Sequence, residues 1–311
     1  MSEAKSLRVA YGEALKELGA KNDKIVAMDA DLAHATMTSI FKEAYPDRHF
    51  NFGIAEANMV CAAAGYAVEG YIPFVSTFAL FGAGRAYEQI RNSVAYDGLN
   101  VKFGLSHSSL CVGEDGGSHQ AIEDIALMRV IPGMTVLVPC DPIEMKKAVF
   151  AAAEIDGPVY IRVARPVCEC ITNEDDPFVV GKANVMSGTS DCDVVLVCTG
   201  LMVSKTIEAA KMLAEKGVKA AVVNMHTIKP YDRETVVEMA KKCKAVVTAE
   251  EHSVIGGLYS ATCEALAGTD IKVAAVGVQD VFGQSGKPEE LFKEYGLTAE
   301  NIVKKATELI G

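Results

Sequence analysis

Residues 50–94 read FNFGIAEANMVCAAAGYAVEGYIPFVSTFALFGAGRAYEQIRNSV. Ala55–Val68 carries small and apolar side chains at helical spacing, Pro73–Ser76 is a short apolar run, and Ala79–Val94 returns to the helical period. Helix, strand and helix in succession make the unit from which parallel sheets covered on both faces are assembled. The alternation continues on either side. Further strands are expected at Lys24–Met28, Val101–Leu105, Thr135–Val138 and Val159–Arg162, and a further helix at Pro142–Ala153. It breaks at Arg165–Val180, which has two prolines, an acidic NEDD cluster and no sustained period. It resumes with strands at Asp193–Cys198, Lys219–Val223, Ala245–Thr248 and Lys272–Val276, and helices at Val203–Glu215, Arg233–Lys241 and Leu258–Leu266. The expected fold is α/β, with two doubly wound domains: residues 1–168 with a mainly parallel sheet, a linker at 169–185, and a smaller unit at 186–311.

Composition narrows the class. The chain has 311 residues, 50% of them hydrophobic and 23% charged, which describes a globular protein long enough for two cores. A net charge of -11 argues against nucleic-acid binding, whose usual footprint is a basic face. It leaves room for a small anion, which is read by a local cluster of cations. The first residues lack the uninterrupted apolar core of a secretory signal, and no run approaches the ~18 apolar residues that would mark a membrane span. Nine cysteines, at 61, 111, 140, 168, 170, 192, 198, 243 and 263, include no CxxC and read as free thiols of a cytoplasmic protein. Cys168 and Cys170 form a CxC, which reads first as two ordinary thiols and second as metal ligands.

Three segments carry chemistry. Glu56 is a lone carboxylate at the start of a helix otherwise lined by small apolar residues. It either complements the positive end of the helix dipole or shares a proton with a bound ligand. Phe78 and Phe81 are three apart and face one way on a helix, as core or as a stacking wall for a flat heterocycle. Ser106–Gln120, SHSSLCVGEDGGSHQ, follows a strand and concentrates two of the six histidines beside glycines that let a backbone approach a ligand.

These segments, in this order, resemble the pyrimidine-binding and C-terminal domains of the transketolase family of thiamine diphosphate enzymes. GIAEANM (53–59) resembles the family's glutamate motif, STFALF (76–81) its aromatic pocket, and GEDGGSHQ (113–120) the transketolase-type GEDGPTHQ. HTIKPYD (226–232) and EEHSVIGGLYSA (250–261) resemble its C-terminal domain. The resemblance implies that Glu56 bonds N1′ of the cofactor's aminopyrimidine, that Phe78 and Phe81 pack on that ring, and that Asp31 and Ile54 also contact the cofactor. It implies a phosphosugar substrate held by His107, Arg165 and Arg8, the last 23 residues before Asp31 as in the family. Asp115 would read a sugar hydroxyl, and His119 would contact the oxygens of the reacting carbon as a catalytic group. Two positions depart from the pattern. Gly84 stands where a third pocket aromatic is common, a gap that Tyr87 could fill, and the phosphate serine after the DADL segment has no match except Thr36 as a stand-in.

No GDG loop followed by an asparagine is found, since Glu114-Asp115-Gly116 lacks the downstream partner. The expectation is therefore that an N-terminal transketolase subunit supplies that loop, with Mg²⁺ or Ca²⁺ and the diphosphate, and that two copies of each chain form an α2β2 assembly. The starting methionine and the orderly first helix favour a separate subunit over a fragment. No metal site is assigned to this chain itself. The expected activity is transfer of a two-carbon ketol unit from a ketose phosphate to an aldose phosphate. A deoxyxylulose-phosphate synthase-like half or the β subunit of a 2-oxo acid dehydrogenase share the glutamate motif, and STF…RAYEQ leans toward the synthase. A non-catalytic binding module is the rival of a different class.

Overall fold

Apolar runs become strands buried along most of their length. The computed structural model describes residues 4–243 and 245–311. In chain order the strands are β1 (Lys5–Ser6), β2 (Ile25–Asp29), β3 (His49–Asn51), β4 (Ile72–Ser76), β5 (Lys102–Ser106), β6 (Thr135–Leu137), β7 (Val159–Val163), β8 (Val167–Cys168), β9 (Asn184–Ser187), β10 (Val194–Cys198), β11 (Ala220–Asn224), β12 (Thr227–Lys229), β13 (Ala245–Ser253) and β14 (Lys272–Val278). One sheet has the order β12-β6-β7-β5-β4-β2-β3, another the order β14-β13-β10-β11-β9, and β1 pairs with β8 apart from both. The strands from β2 to β7 run parallel. In the second sheet only the edge strand β9 runs against its neighbour.

Every residue of β2, β5 and β7 is buried, so successive side chains feed opposite faces of the first sheet. Val26, Met28, Phe103 and Leu105 meet the helix Glu56–Val68 on one face. Ile25, Ala27, Ile161 and Val163 meet the helices Leu7–Lys21 and Pro142–Glu154 on the other. The first of these helices starts at Ser6, whose hydroxyl accepts from the Val9 amide. The second starts at Asp141, whose carboxylate accepts from the Glu144 amide at 2.8 Å, with Pro142 in the first turn. Among the described residues no helix is long and apolar enough to cross a membrane.

Three features depart from the sequence reading. The expected helix Ala79–Val94 is interrupted: Phe81–Arg85 and Ile90–Ala95 are π-helical turns around the short α-helix Tyr87–Gln89. A glycine at 82 permits this, because a Cβ there would lie 2.4 Å from Leu105 Cδ1. The segment expected as linker is strapped down, with Asp141 accepting from the Ile171 and Thr172 amides at 2.8 and 2.6 Å and Lys147 donating to the Asn173 and Asp176 carbonyls. β12, far along the second half of the chain, pairs antiparallel with β6 and so completes the edge of the first sheet.

The halves also share a buried charge network. Arg162 on β7 donates to Asp124 at 2.7 and 3.1 Å, and to Glu251 on β13 at 3.2 Å. It also donates to the Ala121 and Glu251 carbonyls, and Tyr160 donates to the same Asp124 carboxylate. Burial pushes Glu251 and its neighbour Glu250 up to about 7.

Candidate active site

Parallel strands carry their following loops to one edge, and a helix that precedes a strand begins at that same edge. The segments singled out above therefore converge. Asp31 follows β2, Ile54 and Glu56 follow β3, Phe78 follows β4, His107 follows β5 and Arg165 follows β7, while Arg8 sits in the first turn of the helix leading to β2. The ends of β4 and β5 are tied by the Ser106 amide, which donates to the Thr77 carbonyl at 2.9 Å. Phe78 pairs there with Ser106 as an isolated bridge.

Glu56 is the first residue of its helix and is 6% exposed. Its surroundings are not solely apolar, since Arg85 Nη1 lies 3.3 Å from its Oε1. The Arg85 guanidinium also lies 4.0 Å from the centroid of the Phe81 ring. Phe81 stacks on Phe78 with centroids 5.4 Å apart. The two phenyls meet as expected but not as helical neighbours: Phe78 is still extended, and its carbonyl accepts from the Phe81 and Gly82 amides to start the turn. Phe78 stacks on His107 at 3.8 Å, and the His119 ring stands edge-on to Phe81 at 5.3 Å. A buried carboxylate beside a phenyl face, already engaged by a planar cation, fits the aminopyrimidine end of thiamine diphosphate.

Beyond the rings is a cationic cluster. Arg8 donates through Nη1 to the Ala35 carbonyl at 2.7 Å, while its Nε is buried without a hydrogen-bond partner among the described residues. Burial and the neighbouring Arg165 hold Arg8 below its ordinary value. Arg165 donates to the Val112 carbonyl. His107 is 4% exposed, and burial, then Arg8, Arg165 and His119, push it down to about 3, so it is neutral at pH 7. Its backbone is left-handed at φ 56°, as is Ser109 at 66°, and the Ser109 amide is fixed by the Ala121 carbonyl at 2.8 Å. Two guanidiniums and an imidazole with spare donors are suited to an anion.

The remaining candidates are less engaged. Asp31, Ile54 and Asp115 stand exposed on flanking loops, Ile54 at 77%. Asp31 is held in a left-handed turn by Asn51, whose side-chain oxygen accepts its amide at 3.1 Å. Thr36, the stand-in for the unmatched serine, is wholly buried with its hydroxyl on the Leu32 carbonyl at 2.9 Å. The position of Gly84 is open, because a Cβ there would meet only Leu80 at 3.9 Å. Tyr87 packs against the core, and Arg85 takes the rim. Arg85 was legible as a residue of the segment but not as a partner of Glu56, 29 positions away. Among the described residues no three His, Cys, Asp or Glu side chains converge to hold a metal ion, the CxC pair included.

Comparison with known proteins gives consistent relatives. Residues 3–169 match the family description "Transketolase, pyrimidine binding domain", and residues 181–302 match "Transketolase, C-terminal domain". A Methanocaldococcus jannaschii protein assigned by name to a transketolase C-terminal section is 45% identical over 98% of this chain and 96% of its own. The 6-deoxy-6-sulfo-D-fructose transketolase subunit of a Clostridium species is 43% identical over 97% and 94%. A solved split-gene transketolase, described as an inactive β4 tetramer, superposes with a TM-score of 0.90 at 48% identity, covering 99% of both chains.

Proposed function

The chain belongs to the transketolase family, and on that premise we propose that it is the C-terminal subunit of a split transketolase, active with an N-terminal partner. The observation that carries this reading is one strand edge bearing both the Glu56–Phe81 wall and the Arg8–Arg165–His107 cluster. In this reading residues 1–168 are the pyrimidine-binding domain, 169–185 the join and 186–311 the C-terminal domain. The split-section names of the relatives support a separate partner chain; in this reading that partner holds the diphosphate and its Mg²⁺ or Ca²⁺, and two copies of each chain make an α2β2 assembly.

When bound, thiamine diphosphate supplies the carbon nucleophile and electron sink for breaking and remaking a carbon–carbon bond. Glu56 then holds a proton between its carboxyl and N1′ of the ring, from a site where little water competes. Phe78 and Phe81 would pack on that ring, and Ile54 and Asp31 would be further contacts to the cofactor. Arg8, Arg165 and neutral His107 hold the terminal anion of the sugar, while Asp115 and His119 orient its hydroxyls and carbonyl oxygen. The anion cluster suits phosphate, and the Clostridium relative makes a sulfonate the next group to try.

The test uses the two subunits mixed. Glu56→Ala should lower turnover by about 10²-fold or more with the fold intact, and near-normal turnover would sink the assignment. Arg165→Ala should raise KM for phosphorylated or sulfonated sugars far more than for unphosphorylated ones. An equal loss on both would remove the anion role.

A further inference from the structure

The place at which a flat ring would rest is defined by two contacts, a hydrogen bond to Glu56 and a stack on Phe81. Both are made by one side chain. Resting on the function proposed above, we propose that Arg85 is a removable cap: its guanidinium stands in for the aminopyrimidine in the free chain and is displaced when the cofactor ring enters. A guanidinium is planar, cationic and edged with N–H donors, so it reproduces the two recognition features of that ring. It lies 3.3 Å from Glu56 Oε1 and 4.0 Å from the Phe81 centroid.

The cap is built to move. The Arg85 side chain is 56% exposed while that of Glu56 is 7% exposed, so the carboxylate is enclosed and the cation has solvent to swing into. Both Phe81 and Arg85 lie in the π-helical turn Phe81–Arg85, four residues apart and so on one face of it. Next to it Gly84 leaves open space, so no side chain there confines the stem. With the Arg85 partner more than half in solvent the pair contributes little, which makes the cap easily displaced; losing it changes ligand affinity by about two- to fivefold.

Two variants separate the stack from the hydrogen bond. Arg85→Met retains a stem against Phe81 and removes the hydrogen bond, and Arg85→Ala removes both. In the isolated chain, modification of Glu56 by a water-soluble carbodiimide, read by peptide mass, should run severalfold faster in both variants. An unchanged rate would overturn the cap, whatever the cofactor. In the mixed subunits, calorimetric titration with thiamine diphosphate should give a Kd about two- to fivefold lower for the variants. Equal or weaker binding by the variants, with wild type binding normally, overturns displacement alone. If no form binds thiamine diphosphate, the proposed function falls as well.

Discussion

At His107 burial and charge push in the same direction. The ring is packed on Phe78 and faces Arg8 and Arg165, and burial together with those charges pushes its pKa down from 6.5 to about 3. The sign for stability follows. The unfolded chain takes up this proton near 6.5 and the folded one only near 3, so the contribution is present above 6.5 and lost as the pH falls toward 3. An anion in the cluster would reverse the local field. Inorganic phosphate should therefore raise the His107 pKa in an NMR titration, and the absence of any shift would remove His107 from the anion site. Glu56 stood out as a lone carboxylate in an apolar segment and His107 as one of two histidines in a polar loop, whereas Arg8 and Arg165 were reached only through the family resemblance, because residues from separate strand ends share no local pattern. Arg85 was not legible as a partner of Glu56, because no spacing rule links residue 85 to residue 56 when the two sit on different elements.

Most buried central strands were readable within a residue or two, since an apolar run bounded by turns needs no knowledge of its neighbours; β13 was not, because its charged end Glu250-Glu251-His252 stays in the buried strand to Ser253, five residues beyond the expected Thr248. The short strands β3, β8, β9 and β12 were not, because each is defined by the partner it finds and not by its own composition. The π-helical turns were invisible for the same reason. They depend on how closely the backbone at residue 82 approaches β5. This gives a paired expectation for neighbouring glycines in one turn. Gly82→Ala sets a Cβ 2.4 Å from Leu105 Cδ1 and 3.2 Å from its Cγ, so the whole buried side chain must shift, at a cost of about 1–3 kcal/mol. Gly84→Ala meets nothing closer than 3.9 Å and should be neutral or stabilising by up to about 1 kcal/mol. Denaturant unfolding of both variants checks the pair, and equal losses would contradict the packing at residue 82.

The whole molecule is held together by groups from both halves. Arg162 neutralises Asp124 and Glu251 where none of the three meets water. Arg162→Met should cost about 3–5 kcal/mol, because it leaves two carboxyls buried without their cation. The loss should depend on pH. Burial raises Glu251 to about 7 even beside Arg162, from 4.5 in the unfolded chain, so the folded state holds its proton more tightly. A group raised in this way contributes stability at low pH and loses it as the pH rises through the folded value. Without Arg162 the folded value rises further, so the deficit in melting temperature should be smaller at pH 6 than at pH 8. Equal deficits would show that the carboxyls had found water or another partner.

β12 has a further bearing on how such chains could be recombined. The Val138 amide donates to the His226 carbonyl at 2.8 Å, and Thr227 pairs with Leu137, so the rim of the first sheet is contributed from beyond residue 180. A cut in the middle of the chain is therefore a cut through a sheet. The first half released alone would present β6 as a bare edge, ready to pair with another molecule. A chimera that exchanged the second half for a relative's would change a strand of the first half as well. Such an exchange should succeed only where residues 226–229 suit the β6 they must join.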